Sequence, residues 1–373
     1  MFDRPGCFRV LGLFVVFAVL SFGEHSLRAA SKLKVVTATT DLAALASEVG
    51  GDRIEVESVA RGYQDPHFVE AKPSFLLKLR KADLLIVVGL QLEIGWLPPL
   101  ITESGNPRIQ VAAPGYLDAS DFAEILEKPT GVVTRAMGDV HPLGNPHYWL
   151  DPENGRRIAR GIQMKLGEMR PADAAYFEQQ FQSFSQRLST AEKTWDEKMK
   201  PFHGRKVVSY HKSWPNFAKR FDLDVVGYIE PRPGIPPTPS HTLELIQMMR
   251  RDGVKVVLVE PYFDLKTPNS IGSQTGAQVV VLLPSVGGEK EVSDYFKLFD
   301  YDIALLNRAF KSDPSDGRNN FGFRFWIYEV GELKIGEVQK RRDCSTFSIQ
   351  NRKCKSQNAF HPALEALAPN PGS

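Results

Sequence analysis

Cysteine is almost missing from this chain: there are three in 373 residues, of which Cys7 lies ahead of an apolar N-terminal run and Cys344 and Cys354 lie near the far end. That scarcity excludes a disulfide-stapled scaffold and a thiolate metal site in the body of the protein. A local bridge between Cys344 and Cys354 and a pair of reduced thiols are both compatible with the spacing. Charge of one sign is lacking as well. Lys and Arg number 46 against 44 Asp and Glu, a formal net charge of +2, and the dense basic cluster Lys340-Arg341-Arg342 sits in the tail. Nucleic-acid binding calls for a basic face, so no nucleic-acid partner is expected. Past the N-terminus no segment approaches the roughly 20 apolar residues of a membrane helix. The HExxH signature of a common class of zinc proteases is also absent.

What is present is enough for a full globular body. With 42% hydrophobic and 24% charged residues, the chain can bury more than one core, and two lobes are the natural expectation. Arg4 and Arg9 precede an unbroken apolar run from Val10 to Phe22, followed by small residues reaching Ala29-Ala30-Ser31. This reads as a secretory signal. Since no cysteine lies close behind the run, the expected mature protein is exported to the periplasm, soluble and without a lipid anchor.

From residue 33 strand-like and helix-like runs alternate. KVVTAT (Lys34 to Thr39), Ile54 to Val59 and ADLLIVVG (Ala82 to Gly89) read as strands, with a helical stretch from Leu42 to Val49. Arg205 to Tyr210, Asp224 to Ile229, Val254 to Val259 and Gln278 to Leu283 repeat the style. Such alternation implies βαβ units around parallel sheets, an α/β class with two Rossmann-like lobes. Between them, Glu153 to Lys200 is helical with a break at Pro171. Phe177, Phe181, Phe184 and Leu188 recur at i, i+4, i+7 and i+11, one apolar face of a long helix. The expected division is a signal peptide over 1–30, an N-terminal lobe over 31–170, a linker helix over 171–202, a C-terminal lobe over 203–311 and an extension of unknown role over 312–373. A helical linker resists bending, which predicts modest lobe movement.

Three histidines carry the chemistry. His67 in DPHFVEAKPS, His147 in GNPHYWLDPENG and His211 in VVSYHKSWPNFAKRF each lie in a short loop that ends a strand-like run or opens a helix. Imidazole is a ready ligand for zinc and neighbouring transition metals, and ligands in open α/β sheets sit beyond the carboxyl ends of strands. His211 follows KVVSY directly, and Glu260 ends VKVVLV. Of the other histidines, His25, His203, His241 and His361 have unremarkable settings, whereas His141, six residues before His147, competes for the same site. Asp151-Pro152-Glu153 reads as a helix start capped by Asp151. Asp65, ahead of Pro66, is expected to shape its turn, Glu70 to support the His67 ring, and Trp149 and Trp214 to pack around the loops and exclude water.

Residues 33 to about 310 resemble the metal-binding solute-binding proteins of ABC transporters, the ZnuA-like or TroA-like zinc and manganese group. The resemblance rests on DPHFVEAKPS, ADLLIVVGLQLEIGWLPPL, NPHYWLDP, the His211 loop, EPRPGIPPTPSH and LVEPYFDLKT. It implies two lobes joined by a long helix, a metal in the cleft between them, and delivery to a membrane permease driven by a cytoplasmic ATPase, with the carrier acting as a monomer. It places the first three ligands on His67, His147 and His211. Histidine in the third place implies zinc (Zn2+), where a carboxylate would imply manganese (Mn2+). The chain departs from the pattern at two points. Leu283 in VVVLLPSVGG stands where the family often has a ligating aspartate, which leaves Glu260 or a water to complete the shell. The histidine-rich acidic loop is missing, with His141 its one remnant.

Two other functions fit the same residues. A secreted zinc-dependent hydrolase would use three histidines and a water, with Glu70 or Glu260 as base. A metal-stabilised adhesion or binding protein would hold its metal only as long as it stays folded. The carrier reading, without enzymatic activity, is favoured by the export signal and the two lobes.

Overall fold

In the computed structural model the described residues are 31–134 and 137–312. The signal segment, the tail with Cys344 and Cys354, and the expectations placed on them lie outside these residues. Among the described residues no helix is long and apolar enough to cross a membrane.

The first sheet contains β1 (Leu33–Thr37), β2 (Ile54–Ser58), β3 (Leu84–Val87) and β4 (Tyr116–Asp118), in the order β2-β1-β3-β4. The second contains β5 (Arg205–Ser209), β6 (Leu223–Tyr228), β7 (Val256–Val259) and β8 (Gln278–Val281), in the order β6-β5-β7-β8. Every pairing is parallel. The strands LLIV of β3 and VVLV of β7 are buried throughout, as inner strands covered on both faces must be. In each sheet the order reverses beside the first strand, which opens a crevice at the carboxyl ends.

Helices α1 (Thr40–Gly50), α2 (Pro73–Lys81) and α3 (Leu97–Ser104) serve the first sheet; α6 (Pro215–Arg220), α7 (Pro239–Asp252), α8 (Lys266–Thr275) and α9 (Tyr295–Lys311) serve the second. Between them run α4 (Pro152–Met169) and α5 (Ala174–Met199), parted at Pro171 as the sequence indicates. Asp151 caps α4: its Oδ1 accepts the Glu153 N–H at 2.9 Å, with Pro152 at the first helical position. The apolar face of α5, namely Phe177, Phe181, Phe184 and Leu188, is buried and continues through Trp195 and Met199.

This long helix is embedded rather than free. It packs on α1, α4 and α9, and a single apolar cluster runs from Val35 and Leu84 through Phe184 to Val207, Leu258 and Leu283. The stretch after β8 pins the two halves further. Val286 N–H donates to Asp41 Oδ1 at 2.9 Å, Thr40 Oγ1 donates to Val286 O at 2.6 Å, and Trp149 Nε1 donates to Pro284 O at 2.8 Å. Gly62 has to be glycine in this seam, because a Cβ there would lie 2.0 Å from Val286 O.

Candidate metal centre

The three predicted histidines meet. One nitrogen from each of His67, His147 and His211 lies within 4.8 Å of the other two. Their ring centroids form a nearly even triangle with sides of 5.2, 5.4 and 5.5 Å. All three come from carboxyl-end loops: His67 follows β2, His147 opens the turn ahead of α4, and His211 follows β5.

Each ring is held through Nδ1. His67 Nδ1 is 2.7 Å from Asp65 Oδ1, His147 Nδ1 is 3.0 Å from Asn145 Oδ1, and His211 Nδ1 is 2.7 Å from Glu230 Oε2. These oxygens accept, so each Nδ1 carries the hydrogen and Nε2 keeps its lone pair when the ring is neutral. The same partners fix the backbone. Asp65 Oδ1 accepts the His67 N–H, Asn145 Oδ1 accepts the His147 N–H, and Glu230 Oε2 accepts the Gly234 N–H. Asn145 also donates to Lys212 O at 2.8 Å, so one amide ties the His147 loop to the His211 loop.

Burial completes the electrostatics. His147 Nε2 is buried and has no hydrogen-bond partner. Burial, aided by the facing imidazoles, pushes the His147 pKa well below the usual histidine value. For Asp65, burial alone would raise the carboxyl, but the hydrogen bonds and charge of His67 outweigh it and hold the group low. A neutral imidazole with an unpartnered buried nitrogen is a ligand without a proton to remove. A divalent transition metal is the chemistry that such a convergent donor set fits.

The structure differs from the sequence reading in the supporting residues. Asp65, expected only to shape its turn, does so and also holds the His67 ring; Glu70, expected in that supporting role, is exposed. Glu260, expected to complete the shell, is not brought into the group of three. It is fully buried, its Oε1 accepts the Trp214 indole N–H at 3.0 Å, and burial pushes its carboxyl up to about 8. Leu283 is buried in the core with its N–H on Asp302 Oδ1, so the end of β8 offers no ligand. Glu230 and Asn145 escaped the sequence reading. The one available signal was an acid directly after the apolar β6 run, the same pattern that drew attention to Glu260. His141, the competitor, lies against the group, with its Nε2 3.3 Å from His67 Nε2. Burial lowers its pKa to about 4.

Residues 35–309 match a family described as zinc-uptake complex component A, periplasmic (ZnuA). The chain belongs to this family. Among its relatives, the manganese ABC transporter substrate-binding lipoprotein PsaA of Streptococcus pneumoniae is 26% identical over 311 residues, covering 80% of this chain and 96% of PsaA. The iron-binding protein YfeA of Yersinia pestis is 25% identical over 297 residues, covering 75% and 87%. A crystal structure of ZnuA superposes with a TM-score of 0.63 at 23% identity, covering 75% of this chain and 99% of that one. The ZnuA family is thus one of metal substrate-binding proteins of ABC transporters, and its members named here take different metals.

Proposed function

We propose that this chain captures zinc between its two halves through His67, His147 and His211 and delivers it to an ABC importer made of a permease and its ATPase subunit. The observation that carries the reading is the convergence of three histidine nitrogens within 4.8 Å, each on a ring whose Nδ1 is already engaged. Zinc rather than manganese is supported by the donor set, since imidazole suits zinc and manganese prefers oxygen. We take the lobes to be residues 31–170 and 203–311, joined by 171–202, and the location to be the periplasm. A carrier has only to bind and release, and among the described residues the group of converging ligand atoms consists of these three histidines.

Metal analysis of the mature protein after exposure to zinc and gel filtration tests this. About one zinc per chain is expected, with near-complete loss in a variant carrying alanine at 67, 147 and 211. Absence of stoichiometric uptake, or full retention in that variant, refutes the site. Competition of zinc against manganese on the apo-protein separates the metals, and a preference for manganese would overturn the zinc assignment alone.

A further inference from the structure

We propose that Glu127 is a positioning residue of the metal site: through the Asn145 side-chain amide it holds the buried His147 ring in the neutral form whose Nε2 can bind a metal. The inference rests on the reading of His67, His147 and His211 as that site.

The Asn145 amide has one oxygen and two N–H groups, and its partners leave it a single orientation. Oδ1 faces the His147 N–H at 2.9 Å and His147 Nδ1 at 3.0 Å. Nδ2 faces the carbonyl oxygen of Lys212 at 2.8 Å and Glu127 Oε2 at 2.9 Å. A carbonyl and a carboxylate only accept, so both hydrogens of Nδ2 are engaged. Turning the amide over would set its oxygen against those two acceptors and its N–H groups against the His147 N–H. The amide in turn decides the imidazole. With Oδ1 accepting, Nδ1 carries the ring hydrogen and Nε2 keeps the lone pair; with the amide reversed, Nδ1 would have to accept and the hydrogen would move to Nε2. His147 Nε2 is buried without a hydrogen-bond partner, so the choice is made at the Nδ1 end.

His67 and His211 need no such relay. Their Nδ1 atoms face the carboxylates of Asp65 and Glu230, which accept whichever way they are turned. An amide has two unlike ends and needs acceptors behind it to fix which one is shown. Of the two acceptors behind Asn145, Glu127 is the charged one, and a charge-assisted hydrogen bond is roughly twice as strong as a neutral one. The carboxylate is itself aimed. Glu127 has φ of 51°, left-handed backbone that is costly for a residue with a side chain. The Asn145 N–H donates to Leu126 O at 2.9 Å, which joins the two segments next to that turn. Lys212 Nζ lies 3.5 Å from the other carboxylate oxygen, Glu127 Oε1.

The test is a double-mutant cycle in the full mature protein: wild type, Glu127→Ala, Asn145→Ala and the two combined, with Glu127→Gln and Glu124→Ala beside them. Glu124 is an acid of the same segment whose carboxylate pairs with Lys219 and Arg157, so its removal controls for lost charge. Zinc affinity is read by chelator competition, and the ring hydrogen of His147 by long-range proton–nitrogen NMR of the apo-protein. Asn145→Ala should lower affinity about 10–100-fold, and Glu127→Ala about 3–10-fold. Glu127→Gln, which keeps a neutral acceptor, should lose less, and Glu124→Ala nothing. In the apo-protein Glu127→Ala should raise the share of His147 rings with their hydrogen on Nε2. With Asn145 already alanine, Glu127→Ala should add no further loss. Additive losses would mean that Glu127 acts on the cation by its charge alone and would overturn the proposal. So would a folded Glu127→Ala variant with wild-type affinity and an unchanged His147 ring, or an equal loss in Glu124→Ala. Should Glu127→Ala not fold, Glu127→Gln takes its place in the cycle, with a smaller loss and the same non-additivity required. All these outcomes leave the three-histidine site standing; a wild-type protein that takes up no zinc would overturn that site and the role of Glu127 with it.

Discussion

The two halves of the molecule share one strand order yet present their histidines by different means. In the first half, His67 and His147 sit on loops, and each ring is held by a side chain two residues away, Asp65 and Asn145. In the second half, His211 leaves the end of β5 directly and is held by Glu230, 19 residues on, across the neighbouring strand β6. A loop held by its own residues can adjust to an incoming ion. A strand end clamped through the sheet is stiffer, so on the proposed site His211 is expected to be the fixed corner.

The largest effect should come from removing that corner. His211→Ala is expected to abolish measurable zinc binding, and His67→Ala to weaken it by more than about 100-fold while leaving residual uptake; chelator competition ranks the two. Equal losses would remove the distinction between fixed and adjustable corners. Next come the residues that hold the rings. Glu230→Ala should cost about 10–100-fold in zinc affinity, and Asp65→Ala should fall at the lower end of that range. The reverse order, read by the same titration, would place the rigid side in the first half.

A smaller effect concerns the seam rather than the site. Burial raises the Asp41 carboxyl to about 7, against the pull of its hydrogen bonds to Val286 and Ser285. Because the folded value lies above the unfolded one, the favourable contribution is complete below about pH 4 and is lost as pH rises through about 7. Asp41→Asn keeps an acceptor for Val286 and should gain stability over the wild type across that window, on the order of a few kcal/mol at its upper end. Denaturant unfolding at a series of pH values measures this, and a pH-independent difference would mean Asp41 does not titrate there. The smallest effect should be on shape. Because α5 is packed on both halves and one apolar cluster crosses between them, zinc should leave the small-angle scattering profile almost unchanged; a clear contraction would mean the seam opens in the apo-protein.

Those contrasts also mark what could be read in the sequence. The parallel strands were legible because inner strands such as LLIV and VVLV are unbroken apolar runs, and α5 because Phe177, Phe181, Phe184 and Leu188 keep a helical period. β4, three residues of YLD beside Gly115, has no such run and depends on its pairing with β3. His67, His147 and His211 were legible from their settings. Glu230 was not, because an acid 19 residues from a histidine acquires meaning only when β5 and β6 lie side by side. Glu260 shows the opposite limit: a strand end is the right place for a ligand, but only the packing reveals that its Oε1 accepts the Trp214 indole N–H while its Oε2 is buried without a partner.

Leu283 carries a consequence for how such a protein could change its cargo. A carboxylate at that point would add the hard oxygen donor that manganese prefers, and a single Leu283→Asp substitution looks like the shortest route. Here that route carries a second requirement. The Leu283 N–H rests on Asp302 Oδ1, a fully buried acid of α9 whose carboxyl burial holds well above the usual carboxylate range. A substitution at 283 has to leave this stretch of backbone in place to keep that acid's hydrogen bond, so a new donor at the end of β8 and the packing of α9 are coupled.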